Sequence, residues 1–183
     1  ANVVTIGDSA STEVNVANAV LLNGIANYDK QGAYTIKDTA DAVSKSSVAI
    51  LGDAVSVTLT NVATAAQGAR INALDKNENS TDITFHVKDT AANLVTHAAN
   101  LDVANSVTVG NSASTELTVA NAGVLNGIPN YDHKGGYTIK DTPEFVSNST
   151  VAILGDADSV TLTDVATAAQ GARINVLDKG ENT

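Results

Sequence analysis

Tyr34-Thr35-Ile36-Lys37-Asp38-Thr39 returns unchanged as Tyr137-Thr138-Ile139-Lys140-Asp141-Thr142, 103 positions further along a chain of 183 residues. The match extends in both directions. Residues 1–80 align without a gap on residues 104–183, with about three quarters of the positions identical. So little drift implies recent duplication. A shorter motif, apolar-Thr-apolar-x-Asp/Asn, is nested inside this long period. Its anchors are Asp8, Asp38, Asn61, Asp89, Asn111, Asp141 and Asp164, at spacings of 30, 23, 28, 22, 30 and 23. Four unequal coils therefore make one super-repeat, residues 1–103, and a partial second one follows over 104–183.

Ahead of each anchor the chain alternates apolar and polar side chains rich in β-branched residues: Val4-Thr5-Ile6, Tyr34-Thr35-Ile36, Val57-Thr58-Leu59, Phe85-His86-Val87, Val107-Thr108-Val109, Tyr137-Thr138-Ile139 and Val160-Thr161-Leu162. Each reads as a short strand with one buried face. After each anchor come Asp-Thr-Ala or Asn-Ser-Ala and then Ala-rich runs, such as Ala10, Val14, Ala17, Leu21 or Ala66, Ala69/Arg70, Ala73/Leu74. These predict helices started by the anchor oxygen, with Pro143 tolerated in the first turn. Strand, helix and equivalent strand in succession give a parallel β-α-β pattern with no reversal. The expectation is an α/β fold: a right-handed repeat solenoid of about seven strand-turn-helix coils with a parallel β-sheet, continuous over 1–183 with no boundary near 103.

Composition narrows the function classes. Hydrophobic residues make up 43% of the chain, and Phe85, Phe145 and four Tyr are the only aromatics, so the core is built from small branched side chains in layers. A net charge of −10 and a pI near 4.4 repel phosphate backbones, which argues against nucleic acid. No apolar run reaches the ~18 residues of a membrane span, and repeat material begins at once, as expected of a mature protein or an excised fragment. Cys, Met and Trp are all absent, which removes disulfides, thiolate nucleophiles and Cys-based zinc sites.

The stretches Tyr34 to Val43, Val57 to Gln67 and Val87 to Leu94 resemble repeats of very large secreted and surface bacterial proteins, adhesin-like, hemolysin-related or S-layer-associated, of the type I secretion class. The resemblance implies an extracellular or cell-surface location and a structural or adhesive role. The Gly-Gly-x-Gly-x-Asp nonapeptides that load calcium in the toxin-repeat class are missing, so no calcium-filled β-roll is implied.

Candidate sites compete with plainer readings. The anchors Asp38, Asp89, Asp141 and Asp164 would form a cation ladder if stacked, but Asn61 and Asn111 take equivalent places, and capping needs only one acceptor oxygen. Asn27-Tyr28-Asp29 and Asn130-Tyr131-Asp132, followed by Gly32 and by Gly135-Gly136, offer oxygens to calcium or a sugar, whereas Asn and Gly are also what a turn with positive φ requires. A column of Thr5, Thr35, Thr58, Thr108, Thr138 and Thr161 would face solvent, broken by His86. His86, His97 and His133 have no partner at a ligand spacing, and no Gly-x-Ser-x-Gly elbow is present. Arg70 and Arg173 occupy equivalent helix positions, where an acidic neighbour would pair with them.

The chain is thus expected to be a non-enzymatic extracellular repeat module, without metal or other cofactor. It would stack end to end in a filament or sit between flanking repeats of a longer surface protein. The alternative is a calcium- or glycan-binding surface module using the Asn-Tyr-Asp loops.

Overall fold

The computed structural model describes residues 3–6, 12–29, 34–77, 82–110, 115–133 and 135–180. Asp8, Ala10, Gly32 and Asn111 lie outside these residues. The fold is mixed α/β, with parallel strands alternating with helices. Two compact units divide the chain, the first Ala1–Val87 with Val103–Asn105, the second Lys88–Asp102 with Ser106–Thr183.

In the first unit the order is β1 (Glu13–Val14), α1 (Val16–Asn23), β2 (Thr35–Asp38), α2 (Ala40–Ser44), α3 (Val48–Leu51), β3 (Ser56–Leu59), α4 (Ala65–Asn77) and β4 (Asp82–Thr84). The four strands form one parallel sheet in sequence order. Val14, Ile36, Val57 and Ile83 stand opposite one another along it, and Ile36 and Val57 are fully buried. Sealing one such side chain from water is worth about 1.5–3 kcal/mol, so this apolar column is what holds neighbouring strands together. Behind the sheet, α2 and α3 pack on α4, which buries Ala65, Gly68, Ile71 and Asn72.

Strand β5 (His86–Asp89) carries the boundary between the units and forms a two-stranded sheet with β6 (Ser106–Val109). The second unit then runs through α5 (Ala91–His97), a 3-10 turn at Ala98–Asn100, β6, β7 (Glu116–Leu117), α6 (Val119–Asn126), β8 (Thr138–Asp141), α7 (Pro143–Ser147), α8 (Val151–Gly155), β9 (Ser159–Leu162) and α9 (Ala168–Gly180). Strands β7, β8 and β9 form a parallel sheet in that order, with Leu117, Ile139 and Val160 opposite one another.

Three expectations need correction. Ile36, not Tyr34, stands opposite Val57, and Thr58 lies between Lys37 and Thr84, so Thr35 and Thr58 share no column. The strand that joins the first sheet is Glu13–Val14, whereas Val4 bridges to Tyr28. Consequently Val14 of the expected helix lies on β1, and α1 starts at Val16. The buried stripe of α4 runs through Ala65, Gly68 and Ile71 instead of Ala66, Ala69 and Ala73. Packing against α2 and β4 chose that stripe; an Ala-rich helix has small side chains on several faces and does not choose by itself.

Helix starts follow from local chemistry. The N-caps of α2, α5, α6 and α7 are Thr39, Thr90, Thr118 and Thr142, each with its hydroxyl accepting an N–H three residues on. Pro143 occupies the first position of α7, where its missing N–H costs nothing. At α4, Thr64 and Gln67 bond reciprocally: Gln67 Oε1 accepts the Thr64 N–H at 3.0 Å and Thr64 Oγ1 accepts the Gln67 N–H at 3.3 Å. Thr167 and Gln170 repeat this arrangement at α9, at 2.9 and 3.3 Å.

Candidate functional site

Asp38, Asp89 and Asp141 do not cap the helices that follow them, a role taken by Thr39, Thr90 and Thr142; they close the turn before the cap. Asp38 Oδ1 accepts the Thr39 N–H at 2.7 Å, while its Oδ2 accepts the N–H of Val16, first residue of α1, at 3.0 Å. One carboxylate therefore closes its own turn and ties down the helix of the preceding coil. Asp141 does the same in the second unit, taking Thr142 at 2.8 Å and Val119, first residue of α6, at 3.0 Å. Asn61 Oδ1 takes the Ala40 N–H at 2.8 Å, at the start of α2. Helix N-termini carry unsatisfied N–H groups and partial positive charge, so a carboxylate or amide oxygen from the next strand satisfies both. Asp89 Oδ1 accepts from Thr90 N–H at 2.7 Å and from Asn93 Nδ2 at 2.9 Å. Asp164 departs from the pattern for a chemical reason: the residue equivalent to Ala40 is Pro143, which has no N–H to give.

The Asn-Tyr-Asp loops fold around their asparagines. Asn27 and Asn130 adopt left-handed backbone, φ 63° and 57°, and their carbonyls accept the Val4 and Val107 N–H groups at 3.0 Å. Asp29 and Asp132 N–H groups return bonds to Val4 and Val107 carbonyls at 2.9 and 2.8 Å. The tyrosines between them turn inward. Tyr28, Tyr34, Tyr131 and Tyr137 are all buried, so none forms an exposed ring on which a sugar would stack. Burial, with Asp53 nearby, pushes the Tyr34 hydroxyl up to about 12; burial also raises Tyr28, Tyr131 and Tyr137.

The loop of the second unit has an additional polar set. His133 Nδ1 lies 2.6 Å from Asp156 Oδ2, which also accepts from Asn126 Nδ2 at 2.9 Å, and the His133 ring meets Tyr131 edge-on at 4.8 Å. Gly136 N–H donates to both Asp158 oxygens at 3.1 Å. Gly135 and Gly136 have φ of 64° and 87°, and a Cβ on Gly135 would collide with Asp158 Oδ1. Among the described residues, no group of three or more His, Asp or Glu side chains is placed to hold a metal ion, and no helix is long and apolar enough to cross a membrane. His86 and His97 lie outside this set, on β5 and at the end of α5.

Arg70 and Arg173 find a main-chain partner rather than an acidic side chain. Their Nε groups donate to the carbonyls of Ser44 and Ser147, the last residues of α2 and α7. A cation at a helix C-terminus satisfies a free carbonyl and the negative end of the helix dipole together.

A groove of about 500 Å³ lies in the second unit, lined by Val146, Leu154, Val160, Leu162, Ile174 and Asn175 among others. No sequence motif pointed to it. The signal that would have found it is the repeat itself, because β9 and α9 copy β3 and α4, whose equivalent surface is covered. No protein-family model, curated protein or solved structure matches this chain.

Proposed function

We propose that this chain is a non-enzymatic extracellular structural module whose coils continue as a right-handed solenoid, joined to flanking coils of a longer surface protein or end to end with copies of itself. The observation that carries this reading is the use of the anchors. Asp38, Asn61 and Asp141 reach from one coil to the first N–H of the helix before it, so these three anchors support coil-to-coil stacking. Arg70 ties α4 to the end of α2, and Arg173 ties α9 to the end of α7. Each coil in such an array buries its apolar face only against its neighbours, so terminal coils expose apolar surface. Val3 and Val4 in the first coil and Val160, Val165 and Val176 in the last are exposed. The extracellular assignment rests on the sequence resemblance and on the absence of Cys and Met, not on geometry.

Sedimentation velocity across a hundredfold concentration range, with electron microscopy of the same samples, tests this reading. Concentration-dependent growth into end-to-end species, or growth only when flanking repeats are present, supports it. A globular monomer under all these conditions, with turnover of an added small-molecule substrate, would sink it.

A further inference from the structure

Ser56-Val57-Thr58-Leu59 and Ser159-Val160-Thr161-Leu162 are the same four residues, and α4 and α9 differ over their lengths only at Ala73/Val176 and Asn77/Gly180. Their surroundings differ completely. In the first unit β4 lies parallel on β3 with Ile83 opposite Val57, and the Phe85 side chain that follows is buried. Asp75 Oδ1 accepts the Ile83 N–H at 3.3 Å, and Asn72 Oδ1 accepts the Val103 N–H at 3.3 Å. Val57 and Ile71 are fully buried as a result. In the second unit the equivalent Val160 is 38% exposed, Asn175 is exposed, and the groove occupies the place that β4 takes in the first.

We infer that the groove beside β9 and α9 is the seat for one strand-turn-helix coil of the Asp82–Asn105 pattern. The coil would dock parallel to β9, with its Ile83 equivalent opposite Val160 and its main-chain N–H groups on Asn175 and Asp178. The inference rests on the structural reading above and selects among its versions. The first coil of a second copy is the wrong occupant. Residues 1–29 align on residues 104–132, and within the chain those residues follow a coil of the 82–103 pattern instead of following α4 directly. In the second unit Val107 on β6 is fully buried, whereas its equivalent Val4 is 40% exposed. The two open surfaces are therefore complementary to opposite sides of the same missing coil, and two copies placed end to end would leave that coil out.

The register makes the test direct. Residues Thr81–Asn105 appended after Thr183 continue the 103-residue offset without a gap. Hydrogen exchange of the Ser159–Leu162 amides should slow by about 100-fold in the extended chain and approach that of Ser56–Leu59, and Val160→Lys in the same chain should reverse the slowing. In trans, a labelled Asp82–Asn105 peptide should bind the unextended chain saturably. Val160→Lys should weaken that binding at least about tenfold, and a scrambled peptide should not compete. Unchanged exchange in the extended chain, or equal binding of the scrambled peptide, overturns the inference. Dimerisation of the unextended chain that Val160→Lys abolishes would also overturn it, by making a second copy the occupant. That outcome would leave the structural reading standing, whereas docking of the coil without any onward assembly would support the inference and count against the filament.

Discussion

Coil β3–α4 and coil β9–α9 are nearly the same sequence in two environments, one covered and one open. Val57 is sealed while Val160 is 38% exposed, and Asn72 is buried while Asn175 is not. Local features survive the difference: both helices are 13 residues long, both begin with a Thr-Gln capping box, and both carry an arginine bonded to the carbonyl ending a preceding helix. What changes is burial. Secondary structure in this chain is therefore set within a coil, and the apolar core is set by the next one.

The comparison can be broken most severely at the isoleucines. Ile71→Ala should destabilise its unit by about 2–5 kcal/mol, because a fully buried side chain leaves a cavity, whereas Ile174→Ala should cost under about 1 kcal/mol. Chemical denaturation of each variant measures this, and equal losses would mean that the open coil is covered after all. The asparagines should differ in the same direction but less. Asn72→Ala removes the acceptor of the Val103 N–H and should cost about 1–3 kcal/mol, against a few tenths for Asn175→Ala.

The tyrosines sharpen the point with pH. A phenol whose folded pKa is raised stays protonated in the fold and ionises first in the unfolded chain. Stability is thus intact below the ordinary value near 10 and falls as pH rises from there toward about 12, the value for Tyr34. Absorbance at 295 nm alongside circular dichroism should show phenolate appearing together with unfolding. Early phenolate in a folded chain would show that the hydroxyls reach solvent.

Thr64→Ala and Thr167→Ala are expected to be equal, about 1 kcal/mol each by thermal unfolding, because a capping box is complete within its own helix. A large difference would show that the following coil also sets the cap. The smallest effects belong to the cross-strand pairs Lys37–Glu13 at 3.3 Å and Lys140–Glu116 at 3.1 Å. Glu13→Ala and Glu116→Ala should each change stability by no more than about 0.5 kcal/mol, and the change should vanish in molar salt.

The amino-acid sequence alone determined the repeat, the alternation of strand and helix, the turns at Asn27 and Asn130, and the place of Pro143. Each depends on residues within a few positions of one another. Only the tertiary structure decided the strand register, since a slip of two residues leaves every side chain on its original face and alternation cannot detect it. It also decided the inward turn of Tyr28 and Tyr131, the reach of Asp38 and Asp141 to another coil's helix, and the partner of Arg70. These are contacts between coils, made by side chains whose own neighbours in sequence carry no record of them. The same is true of Val57 and Val160: identical residues whose difference lies wholly in what is packed upon them.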